Sequence, residues 1–309
     1  MSNEINRVTG LLIIEVVNSN PNGNPDQESD PRVRDNGLGE ISPVSFKRKL
    51  RDLMELTEGP VYQTVIEGLK PFPEGYSFDI LESRGRNRPN ITKELEEGQT
   101  KKTKGKKDEI EFNQSTFLQS PFVKKYWDAR LFGNTFLEEG GNKGFIKTGI
   151  AQFGMGISIS PVIIQRHTNT NKAGVQEGKN QGMAPLAYRV VQHGVYVMPF
   201  FINPSLARKS GCKSCDVEVL KRLIPYTYDH TRSAIRPEVR IRHAWWMEHQ
   251  NSLGSCPDYL LIDALTPKRK GEDPMIPSES WADYDVPEKL PQNLMDKIAS
   301  IKKLDLMSA

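Results

Sequence analysis

The chain has 309 residues, of which 37% are hydrophobic and 26% charged, with a formal net charge of +3 at pH 7. This is the composition of a globular protein, and it excludes a chain that is disordered throughout. Its apolar runs are far shorter than the ~20 residues that cross a bilayer, and its cysteines are too few for a disulfide scaffold. We therefore expect a cytoplasmic protein without membrane contact.

The charge is unevenly distributed along the chain. Residues 271–309 contain eight acidic residues and four lysines, so this tail carries −4 and the rest of the chain +7. A basic body favours a polyanionic partner, and we expect the acidic, proline-rich tail to lie at the periphery. Residues 84–107 are rich in lysine and arginine, which indicates either a solvated insertion or an electrostatic arm for nucleic acid.

The first predicted element is a buried central strand over residues 9–18, where leucine, isoleucine and valine dominate without strict alternation. Turn-forming residues end it, and a polar loop follows to residue 40. Ser42 followed by Pro43 then predicts the start of an amphipathic helix. The beginning of the chain is therefore strand, long loop and helix.

Basic residues cluster where this strand meets the helix. Helical periodicity places Lys47, Arg48 and Arg51 on one flank of the apolar face and Lys49 on the other. Together with Arg32 and Arg34 of the loop, the first three form a basic strip beside the backbone N–H groups of an Asn/Gly-rich turn. The strip is either a phosphate track or a solvated helix face.

Three loop carboxylates, Asp26, Asp30 and Asp35, allow a second kind of site. Carboxylates on a loop after a strand can hold Mg²⁺ beside a phosphodiester. The alternative is a solvated turn whose side chains satisfy their own backbone.

The rest of the chain predicts further elements around an insertion. In chain order we expect an insertion over 60–149 with a helix over 120–136, a strand over 151–165, a protruding hairpin over 166–187, one long strand or a strand pair over 188–202, a helix over 216–223 and a strand over 238–250. This order predicts an α+β fold of the split βαβ, or ferredoxin-like, plan. The RNA-recognition motif shares that plan, but its aromatic signature is missing from the candidate central strands.

Two further motifs leave their function open. Cys212 and Cys215 have the C-x-x-C spacing of zinc ligands, and Cys256 with a histidine would complete four, although a lone C-x-x-C is a weak signal. Between the second helix and the last strand, Asp229 and His230 precede Arg232 and Arg236. This loop either orients a phosphate or is locked by its own ion pairs.

Taken together, ordered segments of the chain resemble a known family. These segments are NPNGNPD (20–26), DPR (30–32), ISPVSFKRKLR (41–51), DARLFG (128–133), SISPV (158–162), GVY (194–196), FINP (201–204) and DHTRSA (229–234). They are similar to the backbone subunit of type I CRISPR surveillance (Cascade) complexes, in the repeat-associated mysterious protein superfamily and nearest to its subtype C and B branch. The similarity runs in order over about residues 9–262.

The resemblance implies a hand-shaped protein with a ferredoxin-like (RRM-like) palm, inserted fingers and a thumb β-hairpin. The palm would comprise residues 1–59, 150–164 and 188–266. The fingers would be 60–149, the thumb 165–187, and 267–309 an acidic C-terminal extension.

The family implies a subunit without chemistry or cofactor of its own, which polymerises helically along CRISPR RNA and presents its spacer to the target DNA strand. Other Cascade subunits, at the 5′ handle of the RNA and the large subunit, would be its partners. Met183 would be a thumb wedge. The residues implied to contact RNA are Asn20, Asn22, Gly23, Asn24, Arg32, Arg34, Lys47, Arg48, Arg51, Arg130, Phe132, Arg166, His167, Lys172, Met183, Arg232 and Arg236. A second hypothesis is a type III-like backbone subunit that cuts target RNA with a loop aspartate and a divalent metal.

Overall fold

The computed structural model describes residues 5–87, 89–91, 93–94, 118, 120–133, 148–171 and 184–304. The strands are β1 (Val8–Ser19), β2 (Gly23–Asn24), β3 (Asp30–Pro31), β4 (Leu38–Ile41), β5 (Ala151–Phe153), β6 (Gly156–Pro161), β7 (Ile164–Asn171), β8 (Ala184–Ile202), β9 (Glu238–His249), β10 (Lys268–Arg269), β11 (Tyr284–Asp285) and β12 (Ile298–Lys303). The helices are α1 (Pro43–Glu55), α2 (Pro60–Glu67), α3 (Pro121–Lys125), α4 (Trp127–Phe132), α5 (Ala207–Ser210), α6 (Ser214–Leu223), α7 (Asp258–Leu265) and α8 (Gln292–Met295).

The fold is α+β and is built on one large antiparallel sheet. Its strand order is β12-β9-β1-β8-β6-β4, and β5 and β7 also pair with β8. The predicted strand over 9–18 is confirmed as β1, which lies between β8 and β9 and is buried along most of its length. It lacks alternation because both faces of the sheet are covered.

One face of the sheet carries the helices. Leu12 and Ile14 of β1 belong to a core that includes Phe46 and Leu50 of α1 and Leu220 of α6. Helix α1 begins as predicted, with the Ser42 hydroxyl accepting from the Ser45 amide at 3.2 Å. The sequence missed β4, which lies within the predicted polar loop and pairs with β6.

The other face is covered by the C-terminal part of the chain. Leu11 and Ile13, the alternate residues of β1, pack in a second core that includes Leu261 of α7 together with Tyr284 and Leu290. The prediction of a peripheral tail is therefore wrong, because apolar residues spaced among its charges bury this face of the sheet. The covered face explains why the central strands carry no base-stacking aromatics.

The predicted helix over 120–136 is two short helices, α3 and α4, within the described residues. The break falls at Tyr126, whose backbone is extended. Here the chain pairs with a passing segment, because the Trp127 amide donates to the Asp79 carbonyl at 3.0 Å and the Asp79 amide to the Lys125 carbonyl at 3.1 Å. No helix among the described residues has the length and hydropathy of a membrane span.

Candidate nucleic-acid interface

The asparagines of the loop after β1, which the resemblance implies to contact RNA, hold the loop in shape through hydrogen bonds. Asn20 donates from Nδ2 to the Ser29 carbonyl at 2.8 Å, and the Ser29 amide donates to the Asn24 carbonyl at 2.9 Å. A Cβ at Gly23 would lie 2.9 Å from the same Ser29 oxygen, so a larger residue does not fit there. Asn22 accepts from the Ser42 amide at 2.7 Å, which fixes the loop to the first turn of α1. These residues build the loop's shape.

A basic cluster lies where this loop, α1 and the turn 233–236 meet. The Asn20 amide donates to the Ile235 carbonyl at 2.7 Å and so brings the turn against the loop. The ammonium of Lys49 lies 5.6 Å from the centroid of the Tyr228 ring. Among the described residues neither Lys49 nor Arg236 forms an ion pair with a carboxylate, and Arg236 donates only to the Ser233 hydroxyl, at 3.2 Å. We call Arg32, Lys49 and Arg236, with Asn20 and Tyr228, the basic junction.

The basic junction has unsatisfied polar groups as well as unpaired charge. Burial, together with the positive charge of Arg236, lowers the pKa of Lys49 from its ordinary value of 10.5 to about 8. Asn20 Oδ1, Arg32 Nε and the Tyr228 hydroxyl are buried without a hydrogen-bond partner in the described part of the chain. Buried polar atoms normally have partners; Arg32 Nε and the Tyr228 hydroxyl can donate to an anion, whereas Asn20 Oδ1 can only accept, so the junction is a candidate anion site.

The opposite flank of α1 is different, because its arginines are engaged. Arg51 is buried and donates from Nε to Asp128 at 2.9 Å, with Glu82 a further 3.0 Å partner of its Nη2. Arg48 pairs with Asp52 at 2.8 Å and also with Glu55. Any phosphate contact of Arg48 or Arg51 therefore competes with the chain's own carboxylates, and the RNA contacts expected of both stay predictions.

Lys47 is the cation of this flank that keeps its charge available. Its ammonium lies 5.3 Å from the centroid of the Phe132 ring, and so does the guanidinium carbon of Arg51. Burial and the charge of Arg51 lower the pKa of Lys47. Phe132 itself is buried, with its ring centroid 5.5 Å from that of Trp127, and the RNA contact expected of it stays a prediction.

Arg130 is a structural residue. Its side chain has 0% exposure and lies 2.7 Å from Asp216, which is equally buried. It also donates to the carbonyls of Val123 and Lys124 at 2.7 Å and of Ser77 at 2.9 Å. The packing of α4 therefore accounts for the DARLFG segment; this burial does not favour the RNA contact expected of Arg130, which stays a prediction.

Exposed arginines of the loops are also paired. Arg34 donates to Glu40 and Arg232 to Asp229, each at 2.5 Å. Both remain accessible, with 46% and 57% of their side chains exposed. The ion pair of Arg232 favours the locked-loop alternative for its segment, whereas Arg236 is left for a ligand.

The predicted hairpin has its two arms in the structure. β7 pairs with β8 in register from Ile164 opposite Val191 to Asn171 opposite Ala184. Arg166 and His167 are exposed on β7. Lys172 and Met183 lie outside the described residues.

The sites considered for metals are not assembled in the described residues, which contain no group of three or more His, Cys, Asp or Glu side chains that could hold an ion. Asp30 is paired with Arg189. Cys212 is buried, and burial also raises the pKa of Cys215 to about 11, so both are neutral thiols at pH 7.

The sequence pointed to the strand–loop–helix corner, and the basic strip that it indicated lies on the flank of α1 where Arg48 and Arg51 are paired. Lys49, which the helical periodicity separated from the other three cations, was not selected from the sequence. Its proximity to Arg236 joins residues 187 positions apart. Two features of the sequence could have identified Lys49. One is its isolated position on the other flank of α1, and the other is the motif that carries Tyr228 and Arg236.

Comparison with known proteins identifies the family. Among the solved structures that resemble the protein is a chain from a "CRISPR RNA-guided surveillance complex, pre-nicking", with 13% identity and a TM-score of 0.41; the match covers 78% of this chain and 75% of that chain. Another is a chain from a "CRISPR RNA-guided surveillance complex", with 12% identity and a TM-score of 0.40; this match covers 79% of this chain and 69% of that chain. No curated protein matches significantly. The family model for CRISPR-associated protein Cas7 matches residues 6–288, nearly the whole chain. The chain therefore belongs to the Cas7 family, and the resemblance in the sequence is confirmed at this level.

Proposed function

We propose that this protein is the CRISPR RNA-binding backbone subunit of a type I surveillance complex in antiviral defence. Copies polymerise along the spacer and present it for pairing with the target DNA strand. The observation that carries the proposal is the basic junction, where Lys49 and Arg236 lie together and neither forms an ion pair with a described carboxylate. Family membership supplies the class of ligand, and the junction supplies the place where its phosphates bind.

The ligand suited to this site is a sugar–phosphate backbone. The cations attract the phosphates of any RNA, so this attraction is independent of base sequence. One copy offers only a few phosphate contacts, so it binds RNA weakly, and each contact makes log affinity fall by ~0.7 per log unit of salt. Neighbouring copies on one RNA add their contacts at high effective concentration, which makes the polymer bind tightly.

The strand order supports the assignment of a ferredoxin-like palm. β9, β1, β8 and β6 are adjacent in that order, with α1 in the connection from β1 to β6 and α6 in the connection from β8 to β9. This is the 4-1-3-2 arrangement of two interleaved βαβ units. We assign residues 60–149 to the fingers and 165–187 to the thumb, whose paired arms extend from the edge of this palm.

We further propose that the subunit does no chemistry and acts in the cytoplasm with the 5′-handle and large subunits of Cascade. The alternative is cleavage of target RNA by a loop aspartate with a divalent metal. The pairing of Asp30 with Arg189 favours the first reading, because a carboxylate held by a guanidinium is not free for Mg²⁺.

The test is co-expression of the protein with and without a CRISPR RNA, followed by size-exclusion chromatography. We expect a large ribonucleoprotein that contains many copies only when the RNA is present. A monomer that elutes apart from the RNA would overturn the proposal. Incubating the assembled complex with complementary RNA and Mg²⁺ should leave the RNA intact, whereas regular cuts that Asp26→Ala or Asp30→Ala abolishes would establish the nuclease instead.

A further inference from the structure

The base of the β7–β8 hairpin is joined to the loop after β1 by a single arginine. Arg189 of β8 donates from Nη2 to Glu28 Oε2 at 2.9 Å and from Nη1 to Asp30. The side chains of Arg189 and Asp30 are 21% and 25% exposed, so this pair is partly shielded from solvent, whereas Glu28 is 80% exposed. One guanidinium therefore bridges two carboxylates of the loop.

The hairpin register makes this bridge necessary. Arg166 of β7 stands directly opposite Arg189 in the antiparallel ladder. Side chains at paired positions lie on the same face of the sheet, and like charges directly opposite each other are destabilising. Glu28 and Asp30 neutralise Arg189, whereas Arg166 is exposed and forms no ion pair with a described carboxylate.

The loop side of the bridge is held in an unusual conformation. Glu28 and Ser29 have φ values of +48° and +65°, in the left-handed region that non-glycine residues rarely adopt. Such conformations persist only where the surroundings impose them. Here Asn20 holds the Ser29 carbonyl from one side, and Arg189 holds the flanking residues Glu28 and Asp30 from the other. The loop and the hairpin base therefore stabilise each other's position.

We propose that Arg189 is a positioning residue that docks the β7–β8 hairpin onto the loop after β1, so that its cross-strand neighbour Arg166 contacts an RNA phosphate. The inference rests on the proposed RNA-binding function and adds the residue that orients the hairpin. Arg189 itself has no role as a phosphate ligand, because its donors are committed to Glu28 and Asp30.

Hydrogen exchange of the RNA-free protein tests the docking independently of RNA. Arg189→Gln should increase exchange at β7 and the adjoining part of β8, and the exposed Glu28→Gln, which cannot harm the core, should give a smaller increase in the same peptides. The charge swap Arg189→Asp with Asp30→Arg should restore protection. Unchanged exchange in Arg189→Gln, or a swap no better than the single variants, would overturn the proposal without touching the proposed function.

RNA binding then separates positioning from contact. Arg189→Gln should weaken RNA binding about fivefold, an effect of the size of one partly shielded ion pair, with the salt slope unchanged. Arg166→Gln should lower the slope of log affinity against log salt by ~0.7, the value for one lost phosphate contact. An equal loss of slope in Arg189→Gln would make Arg189 a phosphate ligand and refute the proposal. If the wild-type protein bound no RNA, the proposed function would fail while the exchange result still stood.

Discussion

The ammonium of Lys49 lies 5.6 Å from the centroid of the Tyr228 ring and forms no ion pair with a described carboxylate, although the charge of Asp52 acts on it at longer range. A cation over an aromatic ring recovers part of the free energy of lost hydration, but not all of it. The depressed pKa of Lys49 is the measure of what is not recovered. A site of this kind is unfavourable in the free protein and becomes favourable when an anion binds.

The first prediction is that Lys49→Met stabilises the free protein while it weakens RNA binding. The pKa of Lys49 falls from 10.5 in the unfolded chain to about 8 in the folded chain. The buried charge therefore lowers the free energy of unfolding, and this effect is fully present below pH 8. This pKa shift corresponds to a loss of at most roughly 3 kcal/mol in the free energy of unfolding. We expect the free energy of unfolding at pH 7 to rise by about 1–3 kcal/mol.

Urea denaturation at pH 7 and pH 10 measures this effect. The difference between Lys49→Met and wild type should shrink at pH 10, where the wild-type folded state has released the proton. Lys209→Met, at an exposed lysine on α5, is the matched control and should change little at either pH. Destabilisation by Lys49→Met at pH 7 would contradict the argument.

The second prediction concerns the pH dependence of RNA binding. Below pH 8 Lys49 is charged and attracts phosphate, and above pH 8 the free protein loses this charge, so affinity should fall as the pH rises through 8. Lys49→Arg keeps its charge throughout this range and should bind with little dependence on pH. Fluorescence anisotropy between pH 7 and pH 9.5 at constant salt makes the comparison. Parallel profiles for the two proteins would exclude Lys49 from the interface.

The third prediction is that the basic junction binds RNA without regard to base sequence. Arg236→Gln and Lys49→Gln should each weaken binding by the same factor for two unrelated RNAs and lower the salt slope by ~0.7. The control is Lys209→Gln, at an exposed lysine on α5 that lies outside the basic junction. A loss confined to one RNA sequence would indicate base readout instead.

The sequence predicted the central strand, the start of α1 and the corner where charge gathers, because local patterns determine these features. It could not show which cations are free. Arg51 is neutralised by Asp128 and Arg130 by Asp216, and each pair joins segments more than 70 positions apart. The acidic composition of the tail likewise hid the fact that it packs on the sheet. Buried and exposed residues are neighbours in its sequence, as Tyr284 and Asp285 show.

The fourth prediction is that Arg130→Met destabilises the fold strongly. It leaves Asp216 charged and buried with no counter-ion, a situation that costs about 3–5 kcal/mol. Adding Asp216→Leu should recover much of the loss, because an apolar pair needs no counter-ion. Recovery should be incomplete, since Asp216 also accepts from the Lys213 amide at 2.8 Å. Thermal and urea unfolding of Arg130→Met, Asp216→Leu and the double variant complete the double-mutant cycle. A stability loss below about 1 kcal/mol for Arg130→Met would show that the ion pair is dispensable.

The fifth prediction is that the C-terminal segment is required for folding. Deletion of residues 267–309 uncovers Leu11, Ile13 and Trp245 on the second face of the sheet, and an apolar surface of this kind drives aggregation. Tyr284→Ala is the milder variant, because it removes a ring that is 3% exposed and whose hydroxyl lies 2.7 Å from the Ser160 hydroxyl. It should cost about 3–5 kcal/mol, the range for large aromatic truncations.

Charge and packing in this segment are separated by a matched control. Glu272→Gln with Asp273→Asn removes two exposed charges of the tail and touches no core residue. We expect the control to remain soluble with an unchanged midpoint of unfolding, while the deletion is recovered in the insoluble fraction. If the deletion were soluble, cooperative in unfolding and as stable as wild type, the tail would be peripheral after all. The opposite result makes it the layer that closes the second face of the sheet.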